Sequence, residues 1–341
     1  MKAIVLREIG GPEKYQFEEI ETPLPGRKEV LIRLRAAAFN RRDIFVRKGE
    51  YPGIRLPSTP GADGTGEIVA VGEDAINLPV GSKVVIYPAI NWGDDERIYR
   101  KDFSIVGVPT NGTFAEFIKV PMENVFLKPD YLTWEEAAAL PLAALTAYRA
   151  LVMRGKLKAG ENVLIPGIGG GVATFLLQIA AALGANVYVT SSSNDKINKA
   201  ISLGASGGVN YQEENWDKRL REWMPDGADL CVDSVGGNSF QKLLNIAKHG
   251  SRIVTFGATA GPVPQLVMPK IFLKQIDILG TTMGSPTEFH DMLSFYSENQ
   301  IHPVIDSIFS FEEITKAQSR MENGNTFGKI VITFPWDEES I

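Results

Sequence analysis

The sequence predicts an α/β protein in two parts, a β-rich first half followed by a doubly wound parallel sheet. Three observations carry this. Short alternating runs fill the chain up to about Val120; the apolar period shifts from two to about 3.6 after Pro129; and a strand, glycine turn, helix and second strand follow in order from Glu161 to Lys196.

In the first half, strands are expected at Lys2–Arg7, Val30–Ala38, Gly66–Gly72, Lys83–Tyr87 and Gly112–Val120, separated by proline and glycine clusters, and their closure should be barrel-like. Tyr51–Gly61 reads as a loop too apolar to be only a linker. The charged stretch Ile90–Ser104 reads as an exposed excursion without chemistry. Thr133 and Glu136 form a capping box that opens an alanine-rich helix. Further helices are expected at Asn215–Met224 and Asn238–Lys248, and buried strands at Leu230–Asp233, Arg252–Phe256 and Ile276–Thr281. Ser285 with Glu288 opens another helix, Ser310 with Glu313 a last one stopped by Gly324, and Lys329–Phe334 closes the chain as a strand. The acidic tail from Asp337 reads as loose. Domains are therefore expected at 1–124 together with 285–341, and at 125–284.

The glycine turn is the most informative stretch. Asn162–Ile165 is a short apolar strand, and Gly167, Gly169, Gly170 and Gly171 let the backbone turn sharply. Val172, Phe175, Leu176, Ile179, Ala180 and Leu183 then form one helical stripe, ended by Gly184, before the strand Asn186–Thr190. The turn fits Gly167-x-x-Gly170-x-x-Ala173 better than the commoner G-x-G-x-x-G. Free amides at Gly170, Gly171 and Val172 would seat a pyrophosphate at the helix start. A structural turn is the plainer reading, but the flanking strands and helix favour a dinucleotide. After the second strand, where a carboxylate would meet ribose hydroxyls, stand Ser191, Ser192, Ser193 and Lys196. Hydroxyls and an ammonium suit a 2′-phosphate, which points to NADP; the alternative is a serine cap and a solvated lysine.

Composition narrows the class. A net charge of -6 argues against nucleic acid or an anionic membrane surface as partner. No run has the length of a membrane span and the first residues, MKAIVLREIG, lack a signal-peptide pattern, so a cytoplasmic protein is expected. Cys231 is the one cysteine, and the chain has 3 histidines, so no thiolate and imidazole metal cluster is expected.

The whole chain resembles the medium-chain dehydrogenase/reductase superfamily. The matching segments are Pro60–Glu73, Asn111–Pro121, Leu140–Leu151, the glycine turn, Leu230–Gly237 and Phe327–Ile332. The resemblance implies a GroES-like catalytic domain and a Rossmann domain. Zinc alcohol dehydrogenases of this kind bind metal at positions that correspond to Asn40, Ala62 and Leu142; an alanine and a leucine supply no ligand. The lobe that carries a second, structural zinc corresponds to residues 87–106, which contain no cysteine. The chain is more similar to the zinc-free quinone oxidoreductase branch, through Asn40, Asp43, Phe45, Arg47, Gly49, Tyr51 and Pro52. That branch implies NADPH, with Ser192 or Ser193, Lys196 and Tyr211 on the 2′-phosphate, although Tyr211 could equally be a core tyrosine. It further implies Thr146, Phe256, Gly257, Met283 and Gly284 around the nicotinamide, Asn325 or Lys329 near its ribose, and a homodimer joined through the edge strand 278–284.

Without a metal, the acceptor must itself delocalise the arriving charge, which suits quinones and α,β-unsaturated carbonyls, both electron-poor small molecules. Asn40 and Tyr51 are the candidate donors to the substrate oxygen. Asp43 is a weaker catalytic candidate, expected to stay ionised and to pair with Arg41, Arg42 or Arg47. Either one arginine of the cluster Arg41, Arg42, Arg47 and Lys48 enters the cleft, or all are a solvated face, which is the expected reading. His249 is expected to cap a helix end, and His290 and His302 suggest no partner. Rival readings are an enoyl-thioester reductase of the same superfamily, a cofactor-binding structural or regulatory protein, and, most remotely, a metal-dependent alcohol dehydrogenase.

Overall fold

A computed structural model describes residues 1–75 and 78–336; the tail expected to be loose lies outside them. The chain divides into two compact units, Met1–Leu145 with Gly284–Ile341, and Thr146–Met283. The first boundary thus falls later than residue 124. The reason is the strand Val125–Leu127, which pairs antiparallel with Lys83–Ile86 and so completes the first unit's sheet.

In the first unit the strand Glu29–Ala38 is central. It pairs antiparallel with Lys329–Thr333, with Asp63–Val71 and, along its first half, with Phe117–Pro121. The sheet extends outward through Ile305–Ser310 at one end and Lys83–Ile86 at the other. Alternation decides the faces: Ile32 and Leu34 join a core with Ile4, Phe39, Ile86, Phe114 and Ile332, while Arg33 and Arg35 on the other face both hold Glu67, at 2.9 and 3.0 Å. The expected strand Gly112–Val120 begins only at Phe117, because Gly112 is packed on the loop before Asp63. A Cβ on Gly112 would lie 1.9 Å from the Gly61 carbonyl oxygen, so only glycine fits there.

The stretch Ile90–Ser104 is not merely an excursion. Its charged residues are exposed, but Trp92 is buried and meets Tyr99 and Phe103 edge-on at 5.9 and 5.8 Å. Two of the three expected capping boxes form, Thr133 with Glu136 and Ser285 with Glu288, whereas Ser310 makes no side-chain cap bond and precedes a 3-10 turn, Phe311–Glu313, that leads into the helix Ile314–Glu322. His302 does have a partner: its Nδ1 lies 2.8 Å from Glu136 Oε1 and its ring stands edge-on to Tyr131. His290 lies 3.5 Å from Asp291.

The second unit is a six-stranded, all-parallel sheet in the order 207–210, 186–191, 162–165, 228–233, 247–255, 277–280. The chain starts in the middle and winds outward in both directions, so the order reverses between Asn162–Ile165 and Ala228–Asp233. Ligands of such sheets bind beyond the strand C-termini at that reversal. Leu164, Cys231, Ile253, Leu243 and Leu244 build the core on one face.

Two expectations fail in this unit. His249 lies exposed within the strand Ala247–Thr255 and caps no helix. Asp277–Gly280, expected to be buried, is the sheet's edge and mostly exposed, because only Ala247–Thr255 pairs with it. No helix among the described residues is long and apolar enough to cross a membrane.

Candidate active site

The candidate residues separate by unit. Asn40, Asp43, Tyr51, Asn325 and Lys329 lie in the first, and Thr146, the glycine turn, Ser192, Ser193, Lys196, Tyr211, Phe256, Gly257 and Met283 in the second.

In the first unit the sheet register assembles a buried polar knot. Val331 lies opposite Ala38, and Phe39 N–H donates to the Ile330 carbonyl at 3.0 Å, so continuing the ladder brings Lys329 across from Asn40. On the other side Ala38 faces Asp63. Lys329 Nζ donates to Asn40 Oδ1 at 2.8 Å and to Asp63 Oδ2 at 2.9 Å. Asn40 Nδ2 donates to the same Asp63 Oδ2 at 2.9 Å, and the Leu142 backbone N–H donates to Asp63 Oδ1 at 2.9 Å. Asn40, Asp63 and Lys329 are 6 %, 0 % and 2 % exposed, so the Lys329–Asp63 pair is desolvated and its geometry matters. An ammonium can only donate, which orients the Asn40 amide with Oδ1 toward Lys329. One of the two Asn40 amide hydrogens is committed to Asp63, leaving the other for a substrate oxygen.

Asp63 and the Leu142 amide are the members that sequence reasoning missed, together with the contact of Lys329 to Asn40. The available signal was the acidic residue next to Ala62 in Pro60–Glu73. Asn325, by contrast, is exposed in the turn before the last strand.

Asn40 follows the central strand in extended backbone and caps the start of a helix, Arg41–Lys48, closed by Gly49 at φ 78°. Asp43 Oδ2 accepts from the Asn40 backbone N–H at 2.7 Å, an N-terminal cap. Asp43 makes no ion pair with an arginine among the described residues, which corrects the expected pairing. Burial pushes its carboxyl up to about 6, and the Arg42 charge and the Asn40 N–H oppose that shift only in part. The basic cluster is not a solvated face either: Arg42 and Arg47 are buried, with Arg47 on Glu322, while Arg41 and Lys48 are exposed. Tyr51 is half-buried, and the Arg42 guanidinium lies over its ring, 4.6 Å from the centroid.

A catalytic zinc at the positions of Asn40, Ala62 and Leu142 does not fit these residues. Ala62 and Leu142 carry no ligand atom, and the oxygens of Asn40 and Asp63 already face an ammonium. No group of three or more His, Cys, Asp or Glu suited to a metal occurs among the described residues.

In the second unit, Gly167 at φ 69° and Gly169 at φ 124° make the turn, and Gly170 caps the helix Gly171–Ala182. A Cβ on Gly170 would meet nothing within 4 Å, so the space beside the turn is open to a bulky group. Thr190 on the neighbouring strand fixes the turn, accepting from Gly167 N–H on its hydroxyl and from Ile168 N–H on its carbonyl. Ser191 pairs with Asn210 in the parallel register, so Ser192, Ser193 and Lys196 after one strand and Tyr211 after the next gather at the same edge. Ser193 Oγ accepts from Lys196 N–H at 3.4 Å as a helix cap, and keeps its own proton to donate. Tyr211 is 46 % exposed and is not a core residue. Phe256 and Gly257 follow the strand Ala247–Thr255, Met283 is buried at φ 44°, and Thr146 is buried at the start of the unit.

One unit with a glycine turn opening a helix at the switch point of a parallel sheet, and a second, β-rich unit with a buried amide, carboxylate and ammonium, define a two-domain oxidoreductase that uses a nicotinamide cofactor. The family "Alcohol dehydrogenase GroES-like domain" matches residues 26–130 and "Zinc-binding dehydrogenase" matches 171–298. The chain is 39 % identical to the "Zinc-type alcohol dehydrogenase-like protein YogA" of Leptosphaeria maculans, over 95 % of this chain and 96 % of that one. It is 28 % identical to human "Quinone oxidoreductase", over 97 % of each. A solved structure described as an NAD-dependent alcohol dehydrogenase matches with a TM-score of 0.93 at 37 % identity, covering 98 % of this chain and 99 % of that one. The chain belongs to the medium-chain dehydrogenase/reductase superfamily and is one of its oxidoreductases.

Proposed function

We propose that the protein is an NADPH-dependent reductase of quinones or α,β-unsaturated carbonyls that works without zinc. The observation that carries this reading is the Lys329 ammonium held on Asn40 Oδ1 and Asp63 Oδ2, where a metal-dependent relative would need open ligands. When bound, NADPH supplies the hydride; with one proton from solvent it reduces a conjugated C=C bond or a quinone, and the nicotinamide is oxidised.

The chain's own residues would do the rest. Amides of Gly170, Gly171 and Val172 bind the pyrophosphate, and Ser192, Ser193, Lys196 and Tyr211 bind the 2′-phosphate. Thr146, Phe256, Gly257 and Met283 border the nicotinamide. The remaining Asn40 amide hydrogen, assisted by Tyr51, donates to the acceptor oxygen as charge develops there. Asp63 and Lys329 hold that amide in place, and Asp43 holds the backbone from which it projects. NADP is favoured over NAD because the hydroxyls of Ser192, Ser193 and Tyr211 and the Lys196 ammonium follow the strand ends where a ribose-binding carboxylate would stand, although a solved structure described as NAD-dependent is 37 % identical.

A homodimer fits the exposed edge strand Asp277–Gly280 and the exposed Leu266, Met268, Phe272 and Leu273 beside it in sequence. An apolar edge of this kind is otherwise an aggregation hazard. The reading is tested by following oxidation of NADPH and of NADH with a quinone, an alkenal and a saturated ketone. Turnover is expected with the first two acceptors and NADPH; turnover of only the saturated ketone rejects the proposal.

A further inference from the structure

In the parallel-sheet unit, three helices, Trp216–Trp223, Phe240–Ile246 and Met268–Lys274, each lead into the start of a strand, at Ala228, Ala247 and Asp277. Their C-terminal ends therefore gather where those strands begin, at the opposite end of the sheet from the glycine turn, which follows the end of Asn162–Ile165. A cavity of about 350 Å³ lies among them. Lys218, Arg221, Lys270 and Lys274 line it, and Asp217 is the one carboxylate in its wall among the described residues.

Neighbouring cations on these elements are neutralised: Arg219 pairs with Glu213, Lys242 with Asp217 at 3.5 Å, and Lys248 with Asp229 at 2.9 Å. The four in the cavity have no acidic partner among the described residues. Three of them sit on the end of the helix Phe240–Ile246 instead. Lys274 Nζ donates to the carbonyls of Leu244, Asn245 and Ala247 at 2.9, 2.9 and 2.7 Å, Lys270 Nζ donates to Asn245 Oδ1 at 2.5 Å, and Arg221 Nη2 donates to the Asn245 carbonyl.

Helix capping accounts for only part of this charge. A helix C-terminus carries about half of one negative charge, and Lys274 alone spends its three hydrogens on three carbonyls there. The other cations are in excess, and they act on it: the Lys274 ammonium is held below the usual lysine range by burial first and then by the Arg221 and Lys270 charges. Donors also remain. Lys270 keeps two hydrogens, Arg221 keeps the rest of its fork, and the exposed Lys218 ammonium donates to nothing in the protein.

We propose that this cavity binds a polyvalent phosphate anion, with Lys218, Arg221 and Lys270 donating to its oxygens and Lys274 contributing charge alone. A phosphate chain brings several charges and acceptor oxygens to one small volume, which a single carboxylate cannot. The occupant would be a second ligand, at the other end of the sheet from the dinucleotide.

The test titrates inorganic pyrophosphate calorimetrically into wild type, Arg221→Gln, Lys270→Gln and Arg219→Gln, with saturating nicotinamide cofactor present so that the glycine turn is filled. Arg219→Gln removes the same charge from the same helix but outside the cavity. Wild type should bind one pyrophosphate per chain, more weakly as salt rises, and should melt at a higher temperature with pyrophosphate present. Arg221→Gln and Lys270→Gln should each weaken binding roughly 10-fold or more, and Arg219→Gln by less than about 2-fold. Lys218→Gln, on the exposed side, serves if either cavity variant does not fold. ADP forms a second arm: affinity equal to that of pyrophosphate assigns the site to a free phosphate chain, and tighter binding that the same cavity variants weaken assigns it to a nucleotide. No binding by wild type, no loss in the cavity variants, or an equal loss in Arg219→Gln overturns the inference. None of these readouts involves hydride transfer, so the reductase reading stands or falls separately.

Discussion

Lys329 Nζ donates to Asp63 Oδ2 at 2.9 Å, with 2 % and 0 % of the two side chains exposed, and the residues are separated by most of the chain. The pair belongs to a knot that also contains Asn40 and the Leu142 amide. Removing one partner leaves a desolvated charge. Lys329→Met is therefore expected to cost roughly 3–5 kcal/mol of stability, read by urea unfolding. The double variant Lys329→Met with Asp63→Asn should be less destabilised than the sum of the single changes, by more than about 0.5 kcal/mol. Additive losses would show that the two side chains do not interact.

The Asp43 carboxyl gives a pH signature. Burial raises it to about 6 in the folded protein, above its ordinary value near 3.8. The fold therefore holds this proton more tightly than the unfolded chain does. The associated stability is complete below the unfolded value and is lost as pH rises through about 6. Asp43→Asn keeps an oxygen for the Asn40 cap but cannot ionise. Its stability relative to wild type should improve between pH 4.5 and pH 7.5 by roughly 2 kcal/mol, measured by urea unfolding at both values. A pH-independent difference would contradict the assigned burial effect.

Cofactor choice should respond to Lys196. If its ammonium meets a 2′-phosphate, Lys196→Ala raises the KM for NADPH roughly 10-fold or more and leaves that for NADH nearly constant. Equal effects on both cofactors would assign the lysine to the helix surface alone.

Cys231 is fully buried, and burial pushes its thiol up to about 12. It should resist a thiol-specific disulfide reagent in the native protein and react only as the chain unfolds, at the unfolding rate. Prompt labelling of the folded protein would contradict the packing around the strand Ala228–Asp233.

How far the sequence spoke depended on whether a feature was local. The glycine turn, with its flanking strands and helix, is written in consecutive residues, as are the capping boxes at Thr133 and Ser285. The knot is not local: Asp63 and Lys329 meet Asn40 only through the register of three strands that no short motif encodes. Charge density hid the helix Arg41–Lys48, because a stretch with Arg41, Arg42, Asp43, Arg47 and Lys48 reads as surface, whereas tertiary packing buries Arg42 and Arg47. The strand Asp277–Gly280 misled in the opposite sense. Its Ile278 and Leu279 suggested a core, but position at the sheet edge sets their exposure.

The most direct test of the central claim is the metal content and the NADPH-dependent quinone or enone reductase rate of one preparation, before and after exhaustive chelation. The account predicts no stoichiometric metal and the same rate in both samples. Zinc present at one per chain, with activity that disappears on chelation and returns with zinc, would contradict it.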